Sequence, residues 1–412
     1  MNILIINQPP FNRGDESAHK GFIRAIQAKM PTANIKVLYN SHSIESFRQY
    51  AIGLSKVQYV PVPSGFLSEK VMHLGMHKDM TVLWHLHPVF WKLKELYKWA
   101  DIVVCAPGGI CMGGFQDWDH LFYLELARFY RRPLAYYGRS FGPFPTETKE
   151  NIVFKKKSLA LLHYFSFLSI RDSKTEQLAT ELGLQFTSTV DTAFLDAPKV
   201  EVPYELKAAI GSKPYMVLVP NYLIWHYAYK GKITHEGIME FYCRLIETIL
   251  KTNPDYAIVM LPQLFCGSSY EASDVDFFRE IACKQNTPRI IVAADCYSSD
   301  IQQTIIADAK YVIGARYHSI VFAINQGTPF ISLGYEHKMI GLLESIKDTG
   351  HYVDISKTFD SEADTDATLK KIEALIPLLK ENTVDSQRVA KNMAERCMDT
   401  FVNFIQKNYE RK

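Results

Sequence analysis

The feature that most constrains this chain is an alternation that runs its whole length: short apolar runs separated by longer amphipathic stretches. A run of a few apolar residues suits a strand buried on both faces, and the stretches between suit helices that cover those faces. This is the pattern of a mainly parallel sheet wrapped by helices, an α/β chain. In the first half, strands are expected near 2–6, 35–39, 102–105, 134–138, 167–170 and 187–190. Helices fit near 16–29, 88–99, 117–131, 149–163 and 173–182. In the second half, strands fit near 215–219, 256–261, 289–293, 311–314 and 329–333. Helices there fit near 236–251, 274–285, 299–307, 319–326 and 338–347, and the tail from 362 to 410 reads as helical in two pieces.

With 412 residues the chain can build two cores. The aperiodic stretch from Asp196 to Pro214, interrupted by prolines, marks the divide. The expected organisation is a Rossmann-like domain over 1–197, a second over 214–360, and a helical tail over 361–412 that packs back on the first. Forty-six Lys plus Arg against 44 Asp plus Glu give a net charge of +2, which argues against a nucleic-acid backbone as the main partner. A small anion needs only a local cluster of cations. No secretory leader and no run of membrane-span length is read, so the expected location is cytoplasmic. The seven cysteines are scattered without a Cys-x-x-Cys pair and read as free thiols. His73/His77 and His85/His87 have spacings a metal tolerates but no cysteine beside them, so neither metal nor cofactor is expected. The basic, aromatic segment 85–99 suits an amphipathic helix on its own sheet, or peripheral contact with a membrane surface.

Ligands of open α/β sheets sit beyond the C-terminal ends of the strands, so the residues just past each strand matter most. They are Asn7 and Asn12-Arg-Gly-Asp15; Gly108-Gly109; Gly138-Arg139-Ser-Phe-Gly-Pro143; Arg171-Asp172; Asp191; Ala315-Arg316-Tyr-His318; and Gly334-Tyr-Glu-His-Lys338. Glycines, arginines and acids thus gather at one edge in both halves. If the tail of strand 311–314 stays extended through 318, Arg316 and His318 point the same way, with Ser319 capping the next helix. Lys338 then opens the helix after the neighbouring strand. Arg316, His318, Lys338 and a helix N-terminus describe a pocket for a small anion; surface cations and a capping histidine are the bland alternative. Gly108-Gly109 could bring backbone N–H groups to a phosphate or sugar, or simply make a tight turn. Neither a dinucleotide fingerprint nor a P-loop is present in the sequence.

The ordered set Asn12-Arg-Gly-Asp15, Gly108-Gly109, Phe141-Gly-Pro143, Ile170-Arg-Asp172, Asp191-Thr-Ala-Phe194, Gly314-Ala-Arg316-Tyr-His318 and Tyr335-Glu-His-Lys338 resembles the polysaccharide pyruvyl transferase family over residues 3 to 345. The resemblance implies a GT-B-like arrangement of two Rossmann-like domains with a cleft between them. It implies phosphoenolpyruvate as co-substrate, with Arg171, Arg316, His318 and Lys338 at the donor site. It implies a sugar acceptor, carried on a lipid or a nucleotide, in polysaccharide or exopolysaccharide synthesis. The chemistry needs an acid–base group, for which His318 is the candidate, and anion clamps, for which Arg316 and Lys338 serve. Arg139, Asn12, Asp15, Gly108, Gly109, Asp191 and Trp225 complete the expected substrate-binding set. Arg139 and the aromatic loop Asn221 to Tyr229 depart from the family pattern. Two rivals remain on sequence alone. One is a GT-B glycosyltransferase using a nucleotide sugar, with Asp295 or Glu336 on the ribose. The other is a non-catalytic carbohydrate-binding protein.

Overall fold

The computed structural model describes residues 1–41, 53–63, 66–78, 80–81, 83–265, 273–379 and 384–409. The chain forms two compact units. One comprises Met1–Pro10, Ala18–Asp196 and Met393–Lys412; the other comprises Phe11–Ser17 and Ala197–Asn392.

The first unit is built on seven parallel strands: β1 (Asn2–Gln8), β2 (Asn34–Tyr39), β3 (Val57–Pro61), β4 (Ile102–Cys105), β5 (Leu134–Arg139), β6 (Phe167–Ile170) and β7 (Thr187–Ser188). Their order is β3-β2-β1-β4-β5-β6-β7. The sequence reason is plain in β1, where successive side chains go to opposite faces. Leu4 and Ile6 join one core with Val103, Tyr136 and Leu168. Ile3 and Ile5 join the other with Val37, Val104 and Tyr137. The helix Pro88–Trp99 buries Phe90, Leu93 and Tyr97 in the first of these cores and leaves Trp91 exposed. The long terminal helix Val384–Tyr409 places Cys397, Met398, Phe401, Val402 and Ile405 in the second, a helical spacing of one, three, one and three residues. Phe401 meets the rings of Tyr137 and Phe167 at 5.0 Å each.

The second unit has six parallel strands: β8 (Tyr215–Val219), β9 (Ala257–Met260), β10 (Ile290–Val292), β11 (Val312–Gly314), β12 (Phe330–Gly334) and β13 (Tyr352–Asp354). Their order, β10-β9-β8-β11-β12-β13, is the doubly wound order, as is that of the first six strands of the first unit. The proline-bearing stretch after Asp196 groups with this unit and carries a short helix, Tyr204–Ile210. In each sheet the chain reverses direction of travel beside the first strand, at β1/β4 and β8/β11. Ligands of such sheets bind at that switch point. Among the described residues no helix is long and apolar enough to cross a membrane. Cys266 lies outside the described residues, as do the side chains of His73 and His85.

Candidate active site

In the second unit the loops after β8, β9, β11 and β12 converge at one sheet edge. β11 ends at Gly314, and the helix Tyr317–Gln326 begins at once, with Arg316 at its N-cap. The chain therefore turns two residues earlier than the extended tail expected from sequence, and the two-residue alternation argument for Arg316 and His318 does not hold. Ser319 is not the cap either: it sits inside the first turn, and its Oγ donates to the Arg316 carbonyl at 2.5 Å. Gly314 permits this. A side chain there would lie 2.0 Å from Ser319 Oγ, so only glycine lets the helix start fold back onto the strand end.

Arg316 lies against Asp274, to which its Nη2 donates. The other oxygen of Asp274 accepts the backbone N–H groups of Gln263 (2.9 Å) and Leu264 (3.0 Å). The guanidinium is thus oriented by a carboxylate that is itself fixed by the loop after β9. Arg316 Nε is buried with no partner among the described residues, and so are Asn221 Oδ1, after β8, and Gln263 Nε2. Asn221 also ties the two switch-point strands together, since its Nδ2 donates to the Ala315 carbonyl at 3.4 Å. Buried orphan polar atoms are costly unless a ligand or water completes them.

His318 is in the first turn of its helix and 8% exposed. Its ring stands edge-on to Tyr317 at 5.1 Å. It also packs directly on Gly14, where an added Cβ would fall 1.8 Å from Nδ1. Gly14 belongs to the segment 11–17, which groups with this unit although it lies far away in sequence. Asn12 starts that helix, its Oδ1 accepting from Gly14 N (2.9 Å) and Asp15 N (3.3 Å). The segment is anchored by Arg13 paired with Glu16 and by Glu16 Oε1, which accepts from Ser299 N and Oγ, each at 3.2 Å. Asp15 is half-buried one residue beyond Gly14.

Lys338 occupies the first turn of helix His337–Ser345, after β12, which pairs directly with β11. Its ammonium is 6.0 Å from the Tyr317 ring, so it stands beside the Arg316–His318 turn. Its counterion is Glu336, at 2.7 Å. The other Glu336 oxygen faces His226 Nε2 at 3.6 Å. His226 Nδ1 accepts the Ala228 N–H at 3.3 Å, which assigns the ring proton to Nε2, toward Glu336. Burial pushes the Glu336 carboxyl up, but Lys338 and then His226 outweigh it and hold the group well below the usual carboxylate range. The aromatic loop is fastened here: Tyr229 OH donates to the Tyr335 carbonyl at 2.9 Å, and Tyr227 stacks on His226 at 4.5 Å. Trp225 is half-buried beside His226, the ring centroids 5.7 Å apart. Sequence reasoning leaves His226, Asn221, Gln263 and Asp274 out of the candidate set, although Asn221 and Gln263 come as soon after apolar runs as Arg316 does.

In the first unit Arg171 is buried and paired with Asp191, and its Nε donates to Ser140 Oγ at 3.3 Å. Asp191 in turn caps Thr192–Leu195, accepting from Ala193 N at 3.0 Å. Arg139, also buried, donates to the carbonyls of Ala106 and Gly109 and to Cys111 Sγ, which fastens the Gly108-Gly109 loop from beneath. Gly108 forms a bridge to Arg139, and Gly109 borders open space. Asp295, weighed as a ribose carboxylate, is exposed and accepts from Tyr297 OH at 3.0 Å, while Glu336 is committed to Lys338 and His226.

Comparison with known proteins places these residues in context. The family model described as polysaccharide pyruvyl transferase matches residues 20–337. Amylovoran biosynthesis protein AmsJ of Erwinia amylovora is 22% identical over 382 residues, 84% of this chain and 86% of that protein. Among solved structures, a putative UDP-N-acetylglucosamine 2-epimerase from Listeria monocytogenes superposes with a TM-score of 0.61 at 11% identity, covering 100% of this chain and 97% of that one. The trehalose-6-phosphate synthase OtsA gives 0.58 at 9% identity and 99% coverage of both chains. At such identities the likeness is one of fold.

Proposed function

The chain belongs to the polysaccharide pyruvyl transferase family, and on that premise we propose that it moves the pyruvate group of phosphoenolpyruvate onto two hydroxyls of a sugar, forming a cyclic ketal. The observation that carries this reading is the pair of helix starts after neighbouring strands β11 and β12, one bearing Arg316 and His318, the other Lys338. Arg316 takes the donor carboxylate, its planar fork aligned by Asp274. Lys338 takes the phosphate as a compact charge, steadied by Glu336. His318 handles the proton. A sugar hydroxyl adds to C2 of the donor while C3 accepts a proton and becomes the methyl group. The second hydroxyl then bonds to C2 as the C2–O bond to phosphate breaks, its proton passing to the departing phosphate, and the ketal and inorganic phosphate are released. Gln263 Nε2 and Arg316 Nε are buried donors at the same edge with no partner among the described residues, as a small anionic substrate requires.

In this reading Trp225 and Asp15 contact the acceptor, and Asn12 holds the helix start that backs His318. Arg171, Asp191, Arg139, Gly108 and Gly109 form the substrate-binding edge of the first unit. The compartment is the cytoplasm, where phosphoenolpyruvate is made. The acceptor class is a sugar unit of a growing polysaccharide, a reading supported by the relative AmsJ, itself an amylovoran biosynthesis protein.

The test is phosphate release from phosphoenolpyruvate, screened against nucleotide- and lipid-linked sugars. His318→Gln should lower turnover by on the order of a hundred- to ten-thousand-fold. Arg316→Ala should chiefly weaken donor binding measured by calorimetry. No donor-dependent phosphate release with any acceptor, or wild-type turnover in His318→Gln, overturns the reading.

A further inference from the structure

In the first unit a second set of chemistry-bearing side chains converges at the end of β4, apart from any residue used above for donor chemistry. Cys111 lies two residues past the Gly108-Gly109 pair. Asp117 is the N-cap of helix Trp118–Phe129, and His120 lies in that helix's first turn. The backbone draws the first two together, with Asp117 N donating to the Cys111 carbonyl at 3.3 Å. The cap bond fixes the other two, with Asp117 Oδ1 accepting His120 N–H at 2.9 Å. One sulfur, one carboxylate oxygen and one ring nitrogen then lie within 4.8 Å of one another. Bonds of about 2.0–2.3 Å to sulfur, nitrogen and oxygen give a tetrahedral edge of about 3.5 Å, so small side-chain rotations close this trio onto an ion.

We propose that the first unit binds one divalent ion of the zinc class through Cys111, Asp117 and His120. The donor set is mixed thiolate, carboxylate and imidazole, which suits zinc and its first-row neighbours rather than magnesium or calcium. Two supports lie outside the trio. Asn7 donates to the His120 carbonyl at 2.9 Å, and its own buried Oδ1 has no partner among the described residues, an acceptor that a metal-bound water would satisfy. Arg139 Nη2 donates to Cys111 Sγ at 3.1 Å and so orients the sulfur. That same guanidinium repels a cation, which makes the site one of moderate rather than extreme affinity. Three protein ligands leave a position for water or for an oxygen of a small molecule. Gly109, joined to Cys111 through Arg139, borders open space on that side.

The test uses the full chain, stripped of metal and titrated with Co2+ as a spectroscopic substitute for Zn2+. One equivalent should bind with a thiolate-to-cobalt charge-transfer band and tetrahedral visible absorption, and Zn2+ should displace it. Cys111→Ser should abolish the charge-transfer band. Asp117→Asn keeps an amide oxygen to cap the helix, so it should fold normally and lose at least about ten-fold in affinity. Absence of stoichiometric binding in the wild type overturns the proposal. So does a band that survives Cys111→Ser, or one lost instead on replacing the exposed Cys283.

Discussion

Gly14→Ala is the substitution that most directly interrogates the site, because its consequences can be worked from the structure. The added Cβ would lie 1.8 Å from His318 Nδ1, 2.1 Å from Cγ and 2.6 Å from Cε1. Ordinary contact needs about 3.4 Å or more, so the imidazole must move by about 1.5 Å or swing away. A misplacement of about 1 Å at a reacting group can cost on the order of a hundred-fold in rate. Turnover should therefore fall by about a hundred-fold or more. The fold should survive. Gly14 lies in the helix Arg13–Lys29 and its φ is not positive, so alanine gains up to about 1 kcal/mol of helix propensity. Overpacking costs about 1–3 kcal/mol, leaving a net loss of about 3 kcal/mol at most. The assay pairs phosphate release with a melting curve on the same sample. Near-wild-type turnover in a protein that melts within a few degrees of wild type would falsify the claim that His318 must occupy this pocket.

Three further outcomes are expected. Glu336→Gln should destabilise the protein at neutral pH. The carboxyl's native value lies below the usual 4.5, so its stabilising contribution is fully present above that pH and fades as pH falls below it; the gap between the two melting curves should close in acid, and a pH-independent gap would contradict the Lys338–Glu336–His226 arrangement. Trp225→Ala should raise the acceptor's Michaelis constant far more than the donor's, and equal effects on both would remove Trp225 from the acceptor. Phe401→Ala, in the terminal helix, should cost about 3–5 kcal/mol by leaving a cavity among Phe22, Tyr137 and Phe167, and a loss under about 1 kcal/mol in denaturant titration would show that this helix does not hold the first unit's core.

The central strands are legible in the sequence because burial on both faces writes them as unbroken apolar runs, as in Ile102–Cys105 and Tyr215–Val219. The edge strands Val57–Pro61 and Tyr352–Asp354 are not, since they are half-exposed and carry no such run. Inspecting the residues just past each apolar run finds Arg316, His318 and Lys338. It cannot find the partners that make them a site. Asp274 reaches Arg316, and His226 reaches Glu336, only through the parallel order β9-β8-β11-β12, a set of long-range pairings with no local signature. Serine is a common cap, so the sequence places the helix start at Ser319, two residues beyond its true position at Tyr317. The packing of Ser319 on Gly314 outweighs that preference.

The cations of the second unit share a pattern that bears on how the proposed donor site can stay folded without its substrate. Arg13 is paired with Glu16, Arg316 with Asp274 and Lys338 with Glu336, each carboxylate almost wholly buried. A cation left alone in so dry a setting costs several kcal/mol, so a cluster of unpaired ones would pull the sheet edge apart or give up its charge. Pairing each with a carboxylate removes that cost and fixes the geometry in advance. It also reduces the gain from an incoming anion, since part of each positive charge is already answered. Arg316 resolves the conflict by division: Nη2 is given to Asp274, while Nε stays buried and without a partner among the described residues. Lys338 differs in that its compact ammonium is set against one oxygen of Glu336, whose other oxygen is turned to His226. The three ion pairs sum to no net charge, so on the proposed reading an incoming anion is held by oriented donors such as Arg316 Nε rather than by excess positive charge, with the orientation supplied by the carboxylates.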